Sequence, residues 1–218
     1  MATGTMNQRS RATRHPRADG ERTRGAILRA AASLATVEGL EGLSIGQLAS
    51  AIGMSKSGLY AHFGSKQELQ LATVAEAEQI LQAEVVQPAL AARPGLAQLA
   101  AVCEAYFGYL QRRVFPGGCF FAVTALEMGT RPGLVRERVA AIQSGFAALL
   151  RGFAATALEQ HELPAREDPD GLAFELHAIL LAADAKFVLQ DDPTVLDLAR
   201  QVVHQRLGLG TSGNAGEV

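Results

Sequence analysis

The chain has 218 residues, of which 48% are hydrophobic and 19% charged, so its composition excludes a largely disordered protein. The longest stretch without a charged residue is 14 positions, residues 42–55, which is too short to span a membrane. The Arg-rich N-terminus lacks the apolar segment of a secretory signal, and two cysteines alone cannot form a zinc site. We therefore expect one or two domains in a cytoplasmic protein, with no metal, cofactor or membrane partner.

The net charge of −2 conceals an uneven distribution along the chain. Residues 1–70 hold nine Lys and Arg against five Asp and Glu, whereas residues 71–218 hold eleven against seventeen. A basic segment joined to an acidic body indicates an anionic partner at one end only. From charge alone, a nucleic-acid partner and a merely solvated basic tail remain equally good explanations.

The first predicted elements are an arm and a helix. Residues 1–18 are rich in Arg, Thr and Ser and show no hydrophobic periodicity, which predicts a flexible Arg-rich arm. Helical periodicity begins at Asp19, with Ile27 and Ala31 on one face, and Gly39 ends it.

Three short helix signals follow the first helix. Ser44, Ser55 and Ser65 each precede a helical pattern, and the first and third form capping boxes with the residue three positions on. Two short helices joined by a glycine-containing turn constitute a helix-turn-helix pattern, residues 44–63. We expect residues 19–87 to form one domain around this pattern.

The rest of the chain is also predicted to be helical. Pro88 and the Arg-Pro-Gly turn at residues 93–95 separate it from the first domain. Five further helices are predicted at residues 96–113, 119–128, 134–161, 170–190 and 193–207. Residues 88–208 would form the second domain, and residues 209–218 a disordered tail. Because no segment alternates with period two for long, we predict an all-α fold without a sheet.

Short motifs occur in a fixed order between residues 21 and 81. They are Arg24-Gly25-Ala26-Ile27-Leu28, Ser44-Ile45, Leu48-Ala49, Gly53-Met54-Ser55, Leu59-Tyr60-Ala61-His62-Phe63, Ser65-Lys66 and Glu68-Leu69. In this order the segment resembles the DNA-binding head of the TetR family of transcriptional regulators. Residues 115–127 are similar to the regulatory half of some members. The resemblance implies an N-terminal three-helix helix-turn-helix DNA-binding head and a larger C-terminal helical domain for ligand binding and dimerisation.

The candidate DNA contacts lie on the second helix of the motif and at two helix starts. A recognition helix must present small and polar side chains to the major groove, and this one begins Ser-Lys-Ser-Gly. Tyr60 and His62 could reach phosphates or thymine methyl groups, whereas Leu59 and Phe63 would pack inward. Helix N-termini also favour phosphate. The predicted DNA-binding residues are Ser44, Ser55, Lys56, Ser57, Gly58, Tyr60, His62 and Lys66.

Each of these residues taken singly has a structural explanation. Ser44 is explained as a helix cap, Tyr60 as half-buried packing, and His62 as a surface histidine. Lys56 and Lys66 could simply be solvated. The resemblance, rather than the composition, favours DNA contact.

The predicted helix at residues 170–190 is apolar on two sides, so both sides must be covered. The resemblance implies that the last two long helices pair with those of a second copy. The alternative is that both apolar sides belong to the core of a monomer. The predicted interface residues are Ala178, Ala182, Phe187, Val195, Ala199 and Val202.

Aromatic and Met side chains with few polar groups suit a small apolar pocket. The candidates for binding an effector are Phe107, Phe121, Met128, Phe146, Phe153 and His177, and core packing is the alternative for each. Cys119 is flanked by two phenylalanines on one side and is expected to be a buried thiol rather than a redox sensor. The acidic turns at residues 167–170 and 191–192 are expected to cap helices.

No Gly-rich phosphate loop, nucleophile elbow or metal-ligand cluster occurs in the sequence, so we expect no catalytic residues and no enzymatic activity. We predict a ligand-responsive transcriptional regulator, with repression favoured over activation. It would bind an inverted-repeat operator in double-stranded DNA as a homodimer and be released by an unknown small-molecule effector. The alternative is a small-molecule binding or interaction protein without operator function.

Overall fold

The computed structural model describes residues 16–210, with side chains from residue 20 onward, and this part of the chain contains helices but no strand. Ten α-helices are present in it: α1 Pro16–Glu38, α2 Ile45–Ala51, α3 Lys56–Phe63, α4 Lys66–Leu81, α5 Gln87–Leu90, α6 Leu96–Gln111, α7 Phe120–Met128, α8 Leu134–Glu159, α9 Pro169–Gln190 and α10 Thr194–Arg206. The all-α prediction is therefore confirmed. We call α1 to α3, with the start of α4, the head, and we call α6 to α10 the regulatory domain, after the role that the resemblance implies.

The head helices begin where the serine caps predict. Ser44, Ser55 and Ser65 are the N-caps of α2, α3 and α4, and each hydroxyl accepts a backbone N–H three residues on at 3.1 Å. Each bond satisfies one of the N–H groups that a helix start leaves without a partner. The three helices pack around fully buried apolar side chains such as Leu48 and Leu59.

At both limits of the described residues, the folded part extends slightly further than the sequence predicts. The first helix begins at Pro16, inside the predicted arm, because a proline fits the first turn of a helix. Residues 1–15 lie outside the described part of the chain. At the other end, Leu209 packs against the core and donates its N–H to the carbonyl of His204 at 2.9 Å. Residues 211–218 also lie outside the described part.

The helix that leaves the head runs past the predicted boundary. Between α4 and α5 the backbone forms a π-helical segment, Gln82–Val86, and Pro88 lies in the first turn of α5. Proline has no N–H to give to the helical ladder, and the altered hydrogen-bond pattern before it accommodates that loss. The helical path consequently ends after Leu90 rather than before Pro88.

The regulatory domain is built around α8 and α9, which pack on each other and on α6, α7 and α10. By length and composition α8 could cross a membrane, a criterion that core helices of other proteins also meet. Its apolar residues Val139, Phe146 and Leu150 are buried against neighbouring helices here.

Of the two acidic turns, the first caps a helix as predicted and the second does not. Asp168 is the N-cap of α9 and accepts the backbone N–H groups of Asp170 and Gly171, with Pro169 in the first helical position. Asp192 accepts the backbone N–H of Thr194 at 2.9 Å. The N-cap of α10 is Pro193 rather than the predicted Asp192, so α10 starts at Thr194, one residue later than predicted.

The two apolar sides of α9 have different environments. One side, which includes Leu172, Leu176 and Leu180, is fully buried in the chain's own core. The other side is exposed, with Phe174 77% and Leu189 85% accessible. A single chain therefore covers only one of the two apolar sides.

Candidate functional site

The second helix of the motif, α3, exposes a polar face. Leu59 and Phe63 are buried beneath it, as predicted, so the side chains between them point away from the core. Lys56 and Ser57 are exposed, and Tyr60 is 55% exposed. The outer surface of this short helix therefore presents hydroxyl and ammonium groups, which a helix that binds base edges in the major groove needs.

The start of α3 is held in place by its neighbours. Gly58 donates its N–H to the Ser55 hydroxyl, and the Ser57 hydroxyl lies 3.3 Å from that of Ser55. The side chain of Lys56 extends across Gly46 of α2, where a Cβ would stand 3.4 Å from the Lys56 Nζ. Gly46 thus leaves room for the lysine stem to lie over α2.

Two predicted phosphate contacts already have protein partners. Lys66 Nζ donates to the carbonyl of Glu41 at 2.7 Å and to its carboxylate at 2.8 Å. The bond from Lys66 is the main reason that the pKa of Glu41 is lowered. The Ser44 hydroxyl donates to the Gln47 side chain at 2.9 Å while it caps α2. A phosphate would therefore have to share or displace these partners.

The C-terminal end of α3 is tied to α1 by Arg24, which the sequence argument used only as part of the family pattern. Its guanidinium donates to the His62 carbonyl at 2.6 Å and lies 4.5 Å from the centre of the Phe63 ring. A cation at a helix C-terminus is favoured by the helix dipole. The His62 ring itself is half-buried beside Phe63.

The predicted effector residues do not form one site. Phe121, Phe146 and His177 line the same cavity of about 10 Å³, a volume that has room for about one water molecule. Burial lowers the pKa of His177, and its ring packs edge-on against Phe146 at 5.5 Å. The other three candidates lie apart: Phe107 is buried beneath Arg200, Met128 faces the head, and Phe153 is buried elsewhere in the core.

The cavity is also lined by residues that the sequence argument did not assign to a pocket. Tyr106 is 3% exposed, and its hydroxyl makes no hydrogen bond within the described residues. The Cys119 thiol is near enough to influence the pKa of Tyr106, but a thiol is a weak partner. Cys119 is itself buried, as predicted, and burial raises its pKa, which argues against a reactive thiolate.

A buried carboxylate lies next to this cavity. Asp184 of α9 is 3% exposed, and both its oxygens accept the backbone N–H of Cys119, at 3.1 and 3.2 Å. Burial raises its pKa to about 6, and the Cys119 N–H opposes that rise. One sign of this role is visible in the sequence, an aspartate in the mostly apolar segment between His177 and Lys186. Asp184 fastens the start of α7 to α9.

Helix α7 is fastened to the head at its other end. The Glu127 carboxylate accepts the backbone N–H groups of Leu40 and Glu41, at 2.7 and 2.8 Å. The loop before α7 makes a second connection, because Gly117 donates its N–H to the Thr36 hydroxyl at 3.1 Å. Helix α7 therefore bridges α9 and the turn that follows α1.

Two family models match the chain. One, described as bacterial regulatory proteins of the tetR family, matches residues 27–73. The other, a tetracyclin repressor-like C-terminal domain, matches residues 95–203. The chain belongs to the TetR family. It is thus a DNA-binding regulator by family, and the family is one of transcriptional regulators rather than of enzymes.

Several solved structures share the fold of this chain. A TetR regulator from Chloroflexus aurantiacus is 26% identical with a TM-score of 0.80, over 88% of this chain and 96% of that one. SCO4454 from Streptomyces coelicolor is 21% identical with a TM-score of 0.73, over 87% and 95%. AibR, solved with isovaleryl coenzyme A and operator DNA, is 24% identical with a TM-score of 0.66, over 84% and 97%. None of the curated proteins matches the chain by sequence.

Proposed function

We propose that this TetR-family protein is a cytoplasmic transcriptional repressor that binds an inverted-repeat operator as a homodimer and leaves it when a small molecule binds. The exposed polar face of α3, on a head of TetR type, is the observation that carries the proposal. Helix-turn-helix proteins place such a face in the major groove, and a dimer reads two half-sites.

The proposed dimer uses the exposed side of α9 and the neighbouring side of α10. Of the six predicted interface residues, Ala178, Ala182 and Val202 are exposed, and Val195 is half-buried. Phe187 and Ala199 are buried within their own chain, so they support the interface from beneath rather than forming its surface. Further exposed apolar side chains extend the same side: Phe174, Leu181, Leu189 and Leu198.

Release from DNA would operate by linkage between the two domains. A ligand that binds better to a dimer whose heads cannot reach both half-sites shifts the population away from DNA. Helix α7 supplies a physical connection, because Asp184 holds its start and its Glu127 holds the turn after α1. AibR shows that a protein of this fold accommodates operator DNA and an acyl coenzyme A.

Replacing Lys56 or Tyr60 by Ala should weaken operator binding about 10- to 100-fold, because each side chain is expected to contact a base directly. Lys66→Ala should weaken binding to all DNA sequences by about the same factor, because its expected partner is phosphate. That factor should be smaller than for Lys56→Ala, since Lys66 is already paired with Glu41. Fluorescence anisotropy against the operator and a scrambled duplex, at several KCl concentrations, measures both effects.

The operator for this test comes from selection of bound sequences in a random DNA pool. Arg166→Ala is the matched control, because it removes an exposed cation far from α3 in sequence. It should leave the affinity for both duplexes unchanged. Equal binding of wild type and Lys56→Ala would contradict the assignment of α3. If the pool yields no preferred sequence, the chain is a small-molecule binding or interaction protein instead.

Replacing Glu127 by Ala should loosen the turn after α1 without unfolding the head. Leu40 and Glu41 would each lose a hydrogen bond to a charged acceptor, worth about 1.5–3 kcal/mol. Amide hydrogen exchange at these two positions should therefore become about 10- to 100-fold faster.

Glu159→Ala, at an exposed position near the end of α8, is the control for the exchange experiment and should leave these amides unchanged. If the Leu40 and Glu41 amides exchange equally fast in wild type and in Glu127→Ala, then α7 does not restrain the turn after α1.

A further inference from the structure

A groove of about 370 Å³ lies between α8 and the helical path from α4 to α5. Its volume is within the range of sites that hold small molecules. None of the described residues that line it belongs to α9 or α10, so the proposed dimer leaves the groove open. Six large apolar side chains line it: Leu81, Val86, Leu90, Ile142, Phe146 and Leu149.

The groove presents little free charge. The two charged residues that line it, Glu78 of α4 and Arg138 of α8, form an ion pair with each other. A charged ligand would have to compete with one member of this pair for the other, whereas a neutral apolar molecule would not. The groove therefore favours a neutral ligand, which gains free energy by leaving water.

The inner wall of the groove is shared with the small cavity of the regulatory domain. Leu81, Ile142 and Phe146 line both spaces, so these three buried side chains separate the groove from the cavity. The cavity has room for about one water molecule, which is also about the room that a single carbonyl oxygen needs. On its far side the cavity is lined by Leu181 of α9, whose outer surface the dimer would cover without closing the groove.

The cavity contains a polar group that lacks a partner. Tyr106 is 3% exposed, and its hydroxyl makes no hydrogen bond within the described residues. Burial raises the pKa of Tyr106 well above its usual value, so the hydroxyl keeps its proton and can donate a hydrogen bond. A buried donor without an acceptor costs free energy, and a ligand that brings an acceptor into the cavity recovers it.

The surroundings of Tyr106 indicate which kind of acceptor fits. Burial lowers the pKa of His177, so its ring is uncharged at neutral pH and supplies no cation to the cavity. The Asp184 carboxylate is near enough to raise the pKa of Tyr106, and it would repel an anion there. An ammonium group has no acceptor to offer the hydroxyl. The best partner is therefore a neutral oxygen.

We propose that the groove and the cavity form one site for a neutral, apolar molecule that carries a carbonyl oxygen. The apolar body occupies the groove, the Phe146 ring turns aside, and the oxygen accepts a hydrogen bond from Tyr106. For its regulatory meaning this inference rests on the proposed function, because binding of such a molecule would be the event that releases DNA.

The test compares three probes with the same skeleton of heavy atoms: benzylacetone, its hydrocarbon analogue isopentylbenzene, and its carboxylate analogue hydrocinnamate. Isothermal titration calorimetry on the full-length protein without DNA should show that hydrocinnamate binds at least about tenfold more weakly than benzylacetone. Tyr106→Phe should weaken benzylacetone binding about three- to tenfold and should not weaken isopentylbenzene binding, because only the ketone uses the hydroxyl. Tyr109→Phe is the matched control, since Tyr109 is a buried tyrosine that lines neither the groove nor the cavity.

A second variant tests the groove independently of Tyr106. Gly145 lines the groove, and nothing stands within 4 Å of a Cβ added there. Gly145→Leu should therefore fill the groove and weaken binding of benzylacetone and isopentylbenzene alike, at least about tenfold. The variant should fold, because leucine favours a helix more than glycine does. Gly152→Leu makes the same change at an open position of α8 outside the groove and should leave both affinities unchanged.

Each part of the inference has its own contrary result. Equal benzylacetone affinity in wild type and Tyr106→Phe would overturn the role of Tyr106, and hydrocinnamate binding as tightly as benzylacetone would overturn the choice of a neutral ligand. If no neutral probe binds, or if Gly145→Leu leaves binding unchanged, the site itself is refuted. If benzylacetone binds as expected but does not release the operator in a gel shift, the site stands and the proposed release mechanism fails.

Discussion

Replacing Ala182 by Glu should convert the dimer into monomers and lower operator affinity by at least about a hundredfold. Ala182 is exposed in the single chain, so a Glu there does not disturb the protomer's own core. In a two-fold interface the same position meets the matching surface of the second copy, and burying unpaired carboxylates costs about 3–5 kcal/mol. One head alone then offers half of the contacts to the operator.

Sedimentation and gel shift on the same variant measure assembly and DNA binding together. Val202→Glu, on α10 and 39% exposed, should behave in the same way as Ala182→Glu. Ala148→Glu is the matched control, because Ala148 is an exposed helical alanine on α8. A monomeric variant that bound its operator as tightly as wild type would refute the paired-head mechanism, and a variant that stayed dimeric would refute this interface.

Gly117→Ala should destabilise the protein by about 1–3 kcal/mol and disturb the contact between the head and the regulatory domain. A Cβ at residue 117 would stand 2.0 Å from the Thr36 carbonyl oxygen, which is backbone and cannot rotate away. The loop or the end of α1 must shift, and the bond from the Gly117 N–H to the Thr36 hydroxyl would be strained or lost. Urea unfolding and operator affinity report the two consequences.

Gly152→Ala makes the same chemical change where space is open. Gly152 lies in α8, and nothing stands within 4 Å of its added Cβ. Because alanine favours a helix, this control should be neutral or stabilise the fold by up to about 1 kcal/mol. Equal stability of the two variants would show that the close approach of Gly117 to α1 does not matter.

Local features of the sequence determined the helices and the polar face of α3. A cap needs only a Ser or Asp and the backbone N–H groups two or three residues on, so Ser44, Ser55 and Asp168 could be assigned without the fold. The inward direction of Leu59 and Phe63 followed from helical spacing in the same way. The start at Pro16 was missed, because a few helical residues within an Arg-rich segment leave no periodic pattern.

The tertiary structure alone decided which distant groups meet. Glu127 reaches Leu40 across 87 positions, and Asp184 reaches Cys119 across 65, and no local pattern encodes such pairs. It also separated the two apolar sides of α9, which are alike in the sequence, because burial depends on what packs against each side. Lys66 shows the same limit, since its pairing with Glu41 depends on where the turn after α1 lies relative to α4. Hydrophobic periodicity indicates which face of its own helix a residue occupies. The residues that it contacts on other helices depend on how those helices pack.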